Sequence, residues 1–592
     1  PSLDKRIAET YAAKSTGTNK NSLYDSYLRA FRWATDRIGD QGVVAFVSNG
    51  GWIDGNTGDG VRLYMAEDFT DLYVYNLRGN QRTAGEQSRK EGGKVFGSGS
   101  RNTVAITIGI KDPNKSGFQL HYRDIGDYLT AEEKLKIVDT STVDTVDWQP
   151  ITPNSHGDWL NQRSDDFTTW PVLGEKKGTT DTFFKLFSRG LETARDAWAY
   201  SYSENKLQDQ ARGLMENYCA ALDAIQPDQT AESVLKENPR LVDPRLGKWS
   251  SSLISQLNRR APLSRGGVTA HSLYRPFCKQ RAFFDAQFNH RQYQLPSMFP
   301  TSAHQNIGYG VCAASNRTPF SLLASDLLPN LSLFMDPAQF FSRFTWAPVD
   351  ADGGLFGEGA SISKSEPSIY GQVGEVVAGY VRKDNITDEI KALYRDALGA
   401  DITGDDIFHF VYGKLHDPEY RAKYAADLKK MLPHIETPSS RAEFDKFAAA
   451  GQKLMDLHVH YEDVEPWPLD VQVKGDESSR ETWRVIKMRW AKRNDPETGK
   501  KINDVTKLIY NKQVTISGIP AEADEYMLGS RSAIAWLIDR YQVKKDKASG
   551  IVNDPNDWAD EVGNPRYIVD LIGRVTRVAM ETVRIVDSMN EE

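Results

Sequence analysis

Residues 19–55, NKNSLYDSYLRAFRWATDRIGDQGVVAFVSNGGWIDG, and residues 92–110, GGKVFGSGSRNTVAITIGI, decide the fold. Leu23, Tyr27, Ala30, Ala34 and Ile38 recur at helical spacing behind Ser22 and Asp25, a pair that suits an N-cap with a weak capping box. Gly39 and Gly42 bracket the stop, and residues 43–47 form a short apolar run that predicts a buried strand. Residues 61–69 predict a second helix, residues 72–77 a second strand and residues 103–110 a third. Helix, strand, helix, strand, hairpin, strand is the closing half of an open α/β sheet. The stretch is therefore expected to be the C-terminal half of a Rossmann-like sheet.

Before it, residues 14–20 (KSTGTNK) form a polar loop in which Lys14, Lys20 and the backbone amides suit phosphate contacts. Plain loop chemistry explains the same residues. Asn49-Gly50-Gly51 follows the first strand at the carboxyl end, where open α/β sheets place ligands; a tight turn accounts for the glycines equally well. Residues 78–93 lack periodicity and are expected to be an exposed loop. The FGSG at residues 96–99 resembles a cofactor-binding turn, but such a turn needs a strand before it and a helix after it, and here a strand follows. Residues 111–153 look like a linker carrying one short helix at 131–137.

The chain has 592 residues, of which 39% are hydrophobic and 26% charged, as in ordinary globular proteins. That length suits about three domains or more. Boundaries are expected near residues 152, 350 and 465, giving segments 1–152, 153–349, 350–465 and 466–592. Segment 153–349 reads as basic and strand-rich, 350–465 as a loop followed by helices, and 466–592 as a second basic strand segment closed by helices at 530–541 and 567–589. The fold class is thus α/β plus α+β. Cys219, Cys278 and Cys312 are far apart and form no CxxC pair, which suits a reducing, cytoplasmic setting. No apolar run approaches the roughly 20 residues needed to span a bilayer. The chain opens on Pro1 with no leading strand, so it is expected to be an excised fragment.

The net charge of −8 is unevenly distributed. Residues 248–291 hold eight Lys or Arg against the single acid Asp285, and residues 482–512 hold nine against Asp495, Glu497 and Asp504. Such local patches suffice for phosphate contacts on an acidic protein, unless folding brings acids to them. The first patch contributes Arg259, Arg260, Arg275, Lys279, Arg281 and Arg291, with Tyr274 among strand-forming aromatics. The second contributes Arg489 and Lys492. Upstream, SRGLETARDAWAYSYS (188–203) interleaves Arg189, Thr193, Arg195 and Tyr200, groups able to bond phosphates and base edges. The same string equally suits an internal Arg–Asp pair with buried aromatics. His458, His460 and Glu462 alternate in LHVHYED; with no further ligand at metal spacing they are expected on a solvent-facing strand edge, and no metal site is assigned. Asn564-Pro565-Arg566-Tyr567 reads as a helix start.

The run from residue 19 to 55 and the segment VFGSGSRNTVAI (95–106) resemble the later motifs of adenine-amino DNA methyltransferases. More narrowly they are similar to the Type ISP restriction–modification enzymes, which join nuclease, helicase, methyltransferase and target-recognition parts on one polypeptide. The likeness continues through SLYRPFCKQ (272–280), NHRQYQLPSMFP (289–300), YGKLHDPEYRAKYAADLKKMLPHI (412–435) and SGIVNDPNDW (549–558). It implies a base pocket that includes Asn49 and Phe96, the latter stacking on an extruded adenine. It implies double-stranded DNA with an asymmetric target site as partner, alongside upstream helicase and nuclease domains, and no membrane. S-adenosylmethionine serves the parent enzyme but is not expected to bind this chain well, because the glycine-rich cofactor loop and the Asn-Pro-Pro-Tyr loop are missing. ATP and magnesium belong to upstream parts; no GxxxxGK[ST] loop occurs here. The chain alone is expected to bind DNA without methylating it. The alternative is a protein-interaction or scaffold module without DNA binding.

Overall fold

The computed structural model describes residues 2–590 apart from residues 18, 84, 98–100, 177, 179, 180, 265, 315–317, 350–366, 497 and 498. The loop expected around residue 350 thus lies largely outside the described residues. The chain divides into two units. One comprises residues 1–169, 314–319 and 422–432, and the other residues 170–313, 320–421 and 433–592.

In the first unit, helices α1 (Leu3–Glu9) and α2 (Tyr11–Lys14) precede α3 (Ser26–Arg37). Helix α3 starts after Asp25, because Asn21–Tyr24 is a 3-10 turn and the Ser22 hydroxyl bonds the Thr57 hydroxyl at 3.0 Å instead of capping. Then come β1 (Gly42–Asn49), α4 (Asp59–Asp68), β2 (Asp71–Arg78), α5 (Gly85–Glu91), β3 (Val104–Lys111), β4 (Gln119–Asp124), α6 (Ala131–Asp139) and β5 (Gln149–Ile151). The three strands expected from the sequence are present. Two expectations are corrected: the supposed loop at 78–93 contains α5, and the supposed linker contains β4 and β5. Helix α5 (GEQSRKE) has no apolar residue to show a period. In β4 only Leu120 and Tyr122 alternate inward, too short a signal to register.

The sheet order is β1-β3-β2-β4-β5. Strands β1 and β2 are each antiparallel to β3, while β2 and β4 are parallel. Strands β1, β2 and β4 therefore share one direction and end on the same side. One face packs under the first helices, with Phe31 against Phe46 at 4.8 Å and Trp52 against Trp159 at 5.2 Å between ring centroids. On the other face Tyr75 and Leu77 lie under α6 and Trp148, yet Val43 and Val47 remain 60% and 56% exposed. Among the described residues β1 hydrogen-bonds to β3 alone.

The second unit is a mixed α/β assembly. Strands Val268–Arg275 and Cys278–Phe284 form a hairpin flanked by Leu328–Pro329 and Tyr200–Ser201. A second four-stranded sheet joins Leu322–Ser325, Gly308–Cys312, Ala338–Ser342 and Ser188–Arg189. Phe340, Phe341, Phe344 and Trp346 are buried, as expected of an aromatic cluster in the core. Helices Gly404–Lys414 and Arg441–Val459 cross at Gly413 and Gly451; a Cβ on Gly451 would sit 1.9 Å from the His409 carbonyl oxygen. The last sheet has the order Asp470–Val473, Val514–Ser517, Lys501–Ile509, Arg489–Asn494, and helix Tyr567–Ser588 closes the chain.

The strand edge expected at His458 is corrected. His458 is buried in the last turn of helix Arg441–Val459, 2.7 Å from the Tyr412 hydroxyl and 2.9 Å from the Thr582 hydroxyl. Glu462 pairs with Lys279 and accepts a hydrogen bond from the Tyr567 hydroxyl. Helical continuation places His458 on the core-facing side, where alternation would have exposed it. Burial holds the His458 pKa at about 3, against about 6.5 in an unfolded chain. Neutral His458 therefore stabilises the fold fully above about pH 6.5. Below that value the unfolded chain takes up the proton first, and stability falls by about 1.4 kcal/mol per pH unit. Urea titrations of the native chain and of His458→Gln between pH 7 and pH 4 check this: the glutamine should flatten the slope. A slope that survives in the variant assigns the acid sensitivity elsewhere.

Candidate nucleic-acid interface

The carboxyl ends of β1, β2 and β4 border a polar cleft of about 520 Å3 in the first unit, lined by Gly50, Gly51, Asp54, Asn76, Arg78 and Asp124 among others. Gly50 N–H donates to the Thr103 carbonyl at 3.1 Å, closing the turn. Asn49 accepts from the Gly51 amide at 2.9 Å, so it orders that turn and is not itself a cleft wall. Asn76 accepts from the Arg78 amide at 3.0 Å and from the Thr103 hydroxyl at 3.1 Å, which ties β2 to β3. Arg78 stands at a φ of +56° and directs its Nε to Asp124 at 2.6 Å, with Asp127 on its other side. Phe96 lies outside this lining with its ring 53% exposed; residues 98–100 of the same segment lie outside the described residues. Lys14 pairs with Glu67, and Lys20 donates to the Ala12 carbonyl at 2.7 Å. Folding has given both lysines local partners.

The same is true of most of the first basic patch. Arg195 is 1% exposed; its donors reach the Lys248 carbonyl at 2.9 Å, the Ser250 hydroxyl at 2.7 Å and the Phe288 carbonyl. Thr193 and Tyr200 are buried, the first donating to Asp196 and the second accepting from Asn330 at 3.0 Å. The Tyr274 hydroxyl reaches Asp196 at 3.2 Å. Arg275, also buried, bonds Asn330 at 2.8 Å. Lys279 pairs with Glu462. Arg281 pairs with Glu561 at 2.8 Å, stacks on Trp558 and donates to the Tyr202 carbonyl. Arg260 donates to the Gln226 carbonyl. Glu462 and Glu561 lie far from the patch in sequence, so local charge counting could not see them. Arg189, Arg259 and Arg291 do remain on the surface without an ion pair among the described residues.

The second basic patch behaves differently. Arg489 and Lys492 lie on strand Arg489–Asn494 and are exposed; Lys492 donates to Asn503 at 2.7 Å. Arg493, Lys501 and Lys507, which the sequence did not single out, join them on the same hairpin. Among the described residues none of Arg489, Arg493, Lys501 and Lys507 has an ion pair. Their signal was the local charge excess alone.

A family profile described as the Type ISP C-terminal specificity domain matches residues 182–571. That is more than half of the chain. The chain belongs to the Type ISP family.

Three solved structures are similar to it. A nuclease-deletion mutant of the Type ISP restriction–modification enzyme LlaGI, in complex with a DNA substrate mimic, shares 34% identity at a TM-score of 0.80 and is matched over 99% of this chain and 42% of its own. The ATP-dependent Type ISP restriction–modification enzyme LlaBIII, bound to DNA, shares 31% identity at a TM-score of 0.81, over 100% of this chain and 35% of its own. A DrdV–DNA complex shares 30% identity at 0.78, over 100% and 54%. The chain thus spans about half or less of the length of these relatives. No curated protein sequence matches it. No described helix is long and apolar enough to cross a membrane.

The specificity domain of this Type ISP chain includes the hairpin Val268–Arg275/Cys278–Phe284, strands Arg489–Asn494 and Lys501–Ile509, and the exposed Arg189, Arg259 and Arg291. The family implies S-adenosylmethionine. The described residues of the glycine-bearing segment lead from α5 into β3, the reverse of the strand–turn–helix order that cradles such a cofactor. These residues do not by themselves fit the group, and no methyl-transfer step is derived through it.

Proposed function

We propose that this chain is the target-recognition part of a restriction–modification enzyme, binding double-stranded DNA at an asymmetric site through its second unit. The match of the specificity-domain profile over 182–571 carries this reading, and the ion-pair-free cations of the second basic patch supply the charge that phosphates require. In the same reading the first unit is the closing half of a Rossmann-like adenine methyltransferase sheet. The open edge of β1 with Val43 and Val47 uncovered supports it, as does a cleft at the carboxyl ends of three like-directed strands. Asn49 then orders the turn beside the base pocket, and the exposed Phe96 ring is free to stack on an extruded adenine. The cofactor loop, the ATP and magnesium sites, and the helicase and nuclease domains fall in the length of the relatives that this chain does not span. The chain by itself binds DNA and transfers no methyl group.

Gel shifts of the 592-residue chain on a random duplex test the reading across a salt series. Binding that weakens with a log–log slope of about −4 or steeper is expected, at about 0.9 per neutralised phosphate. Absence of binding at low salt, or binding indifferent to salt, overturns it in favour of a protein-interaction module.

A further inference from the structure

Strands Arg489–Asn494 and Lys501–Ile509 begin as members of a packed sheet and end outside it. Trp490 faces Leu508, which is fully buried, and residues 507–509 still pair with strand Val514–Ser517. Beyond this rung the register jumps, Ala491 pairing with Asp504, so that three residues of the longer strand bulge out. A bulge bends and twists a strand pair. From there to the turn, residues 491–494 and 501–504 pair only with each other. A two-stranded ribbon with no buried face is marginally stable in water, so packing does not account for this one.

Its two faces differ. Side chains alternate along a strand, and cross-strand partners share a face. From the register, Lys492, Asn494, Lys501 and Asn503 share one face, and all four are exposed. Ala491, Arg493, Ile502 and Asp504 share the other. The ribbon's acid Asp504 is thereby turned away, and its carboxylate is held by the Thr506 amide at 3.1 Å and hydroxyl at 2.6 Å. What remains is a face of two ammonium groups and two carboxamides, with no carboxylate and no apolar side chain.

We infer that this ribbon enters the major groove of the bound duplex and sets its Lys492–Asn494–Lys501–Asn503 face against base edges. The inference rests on the DNA-binding reading above and adds the element and the chemistry of readout. The groove is about 12 Å wide and about 8.5 Å deep and admits a two-stranded ribbon. Four residues at about 3.3 Å each carry the ribbon about 13 Å beyond the core, enough to reach the groove floor. Lysine pairs with the O6 and N7 acceptors of guanine, and asparagine with the N7 acceptor and N6 donor of adenine. A purine-bearing strand is thus the substrate this face selects. Arg493 and Lys507, off that face, remain for phosphates.

The test selects duplexes from a randomised pool with the 592-residue chain and with the Asn494→Ala/Asn503→Ala and Lys492→Ala/Lys501→Ala double variants. Each carboxamide or lysine fork lost from a base is expected to lower affinity for the native chain's selected sequence about ten- to a hundred-fold. The asparagine pair should do so without changing affinity for random duplex, relaxing selection at one or two adjacent purine positions. Melting temperatures should stay unchanged, because the ribbon contributes nothing to the core. A native motif retained in full by both double variants, at native affinity, overturns the ribbon inference and leaves the DNA-binding reading standing. A native chain that binds no duplex at low salt overturns both.

Discussion

Replacing Asp158 by Ala is expected to destabilise the first unit by about 3–5 kcal/mol. Asp158 is fully buried, and its carboxylate meets Arg163 at 2.7 Å, Lys430 at 2.7 Å and Arg62 at 3.5 Å. Arg62 and Lys430 are themselves 1% and 3% exposed. Arg62 further donates to the carbonyls of Gly157 at 2.6 Å and Trp52 at 2.7 Å, so it cannot swing out to water without breaking the turn after β1. Removing the carboxylate leaves two cations buried without a counter-charge, which is the costly way to disrupt such a group. Burial works against the ionised carboxyl, but Arg163 and Lys430 outweigh it and hold the Asp158 pKa below the usual range. A depressed carboxyl contributes stability that is fully present above the unfolded value of about 3.9 and is lost as pH falls below it. Hydrogen exchange under mild urea reads the effect. The alanine variant should lose protection in residues 52–62 and 422–432, and the native chain should lose it there only below about pH 4. A variant within about 1 kcal/mol of the native chain would show that the site relaxes or takes up water.

Arg195→Ala is expected to cost the second unit roughly 3–5 kcal/mol, from three charge-assisted hydrogen bonds at about 1.5–3 kcal/mol each, partly recovered by relaxation. Burial lowers the Arg195 pKa to about 10, so the guanidinium stays charged at neutral pH with only neutral acceptors around it: two backbone carbonyls and the Ser250 hydroxyl. Those acceptors belong to segments far apart in sequence, and the planar fork holds them together. Lysine cannot reproduce the fork, so Arg195→Lys should recover less than half of the loss. Chemical denaturation with a salt-dependent gel shift on the surviving folded protein separates stability from contact. The midpoint should fall sharply, while the salt slope of DNA binding stays as it was. A slope reduced by about one phosphate would instead return Arg195 to the interface.

Both residues show where sequence reasoning ends. Arg195 sits in a string of basic, hydroxyl and aromatic side chains that reads as a DNA-contacting segment, and Asp158 drew no attention at all. A lone arginine carries no mark of whether folding will bring a carbonyl or a phosphate to it. Arg281 and Lys279 make the same point: the acids that meet them, Glu561 and Glu462, come from the other end of the second unit's chain. Arg489 and Lys492 kept their surface because their strands leave the packed sheet at a bulge, and a bulge has no reliable signature in one sequence.

Sequence alone determined the family, through many ordered strings, and it determined the three principal strands of the first unit. Buried strands announce themselves by apolar runs, since each residue must satisfy the core on its own account. It also determined that positive charge gathers at 248–291 and 482–512. Tertiary structure decided which of those charges are available to a partner, because an ion pair depends on distance in space and not along the chain. It also brought residues 422–432 into the first unit, where Lys430 meets Asp158. And it turned four polar residues of one hairpin onto a single open face, a matter of register that only the hydrogen-bonded pairing of two strands can set.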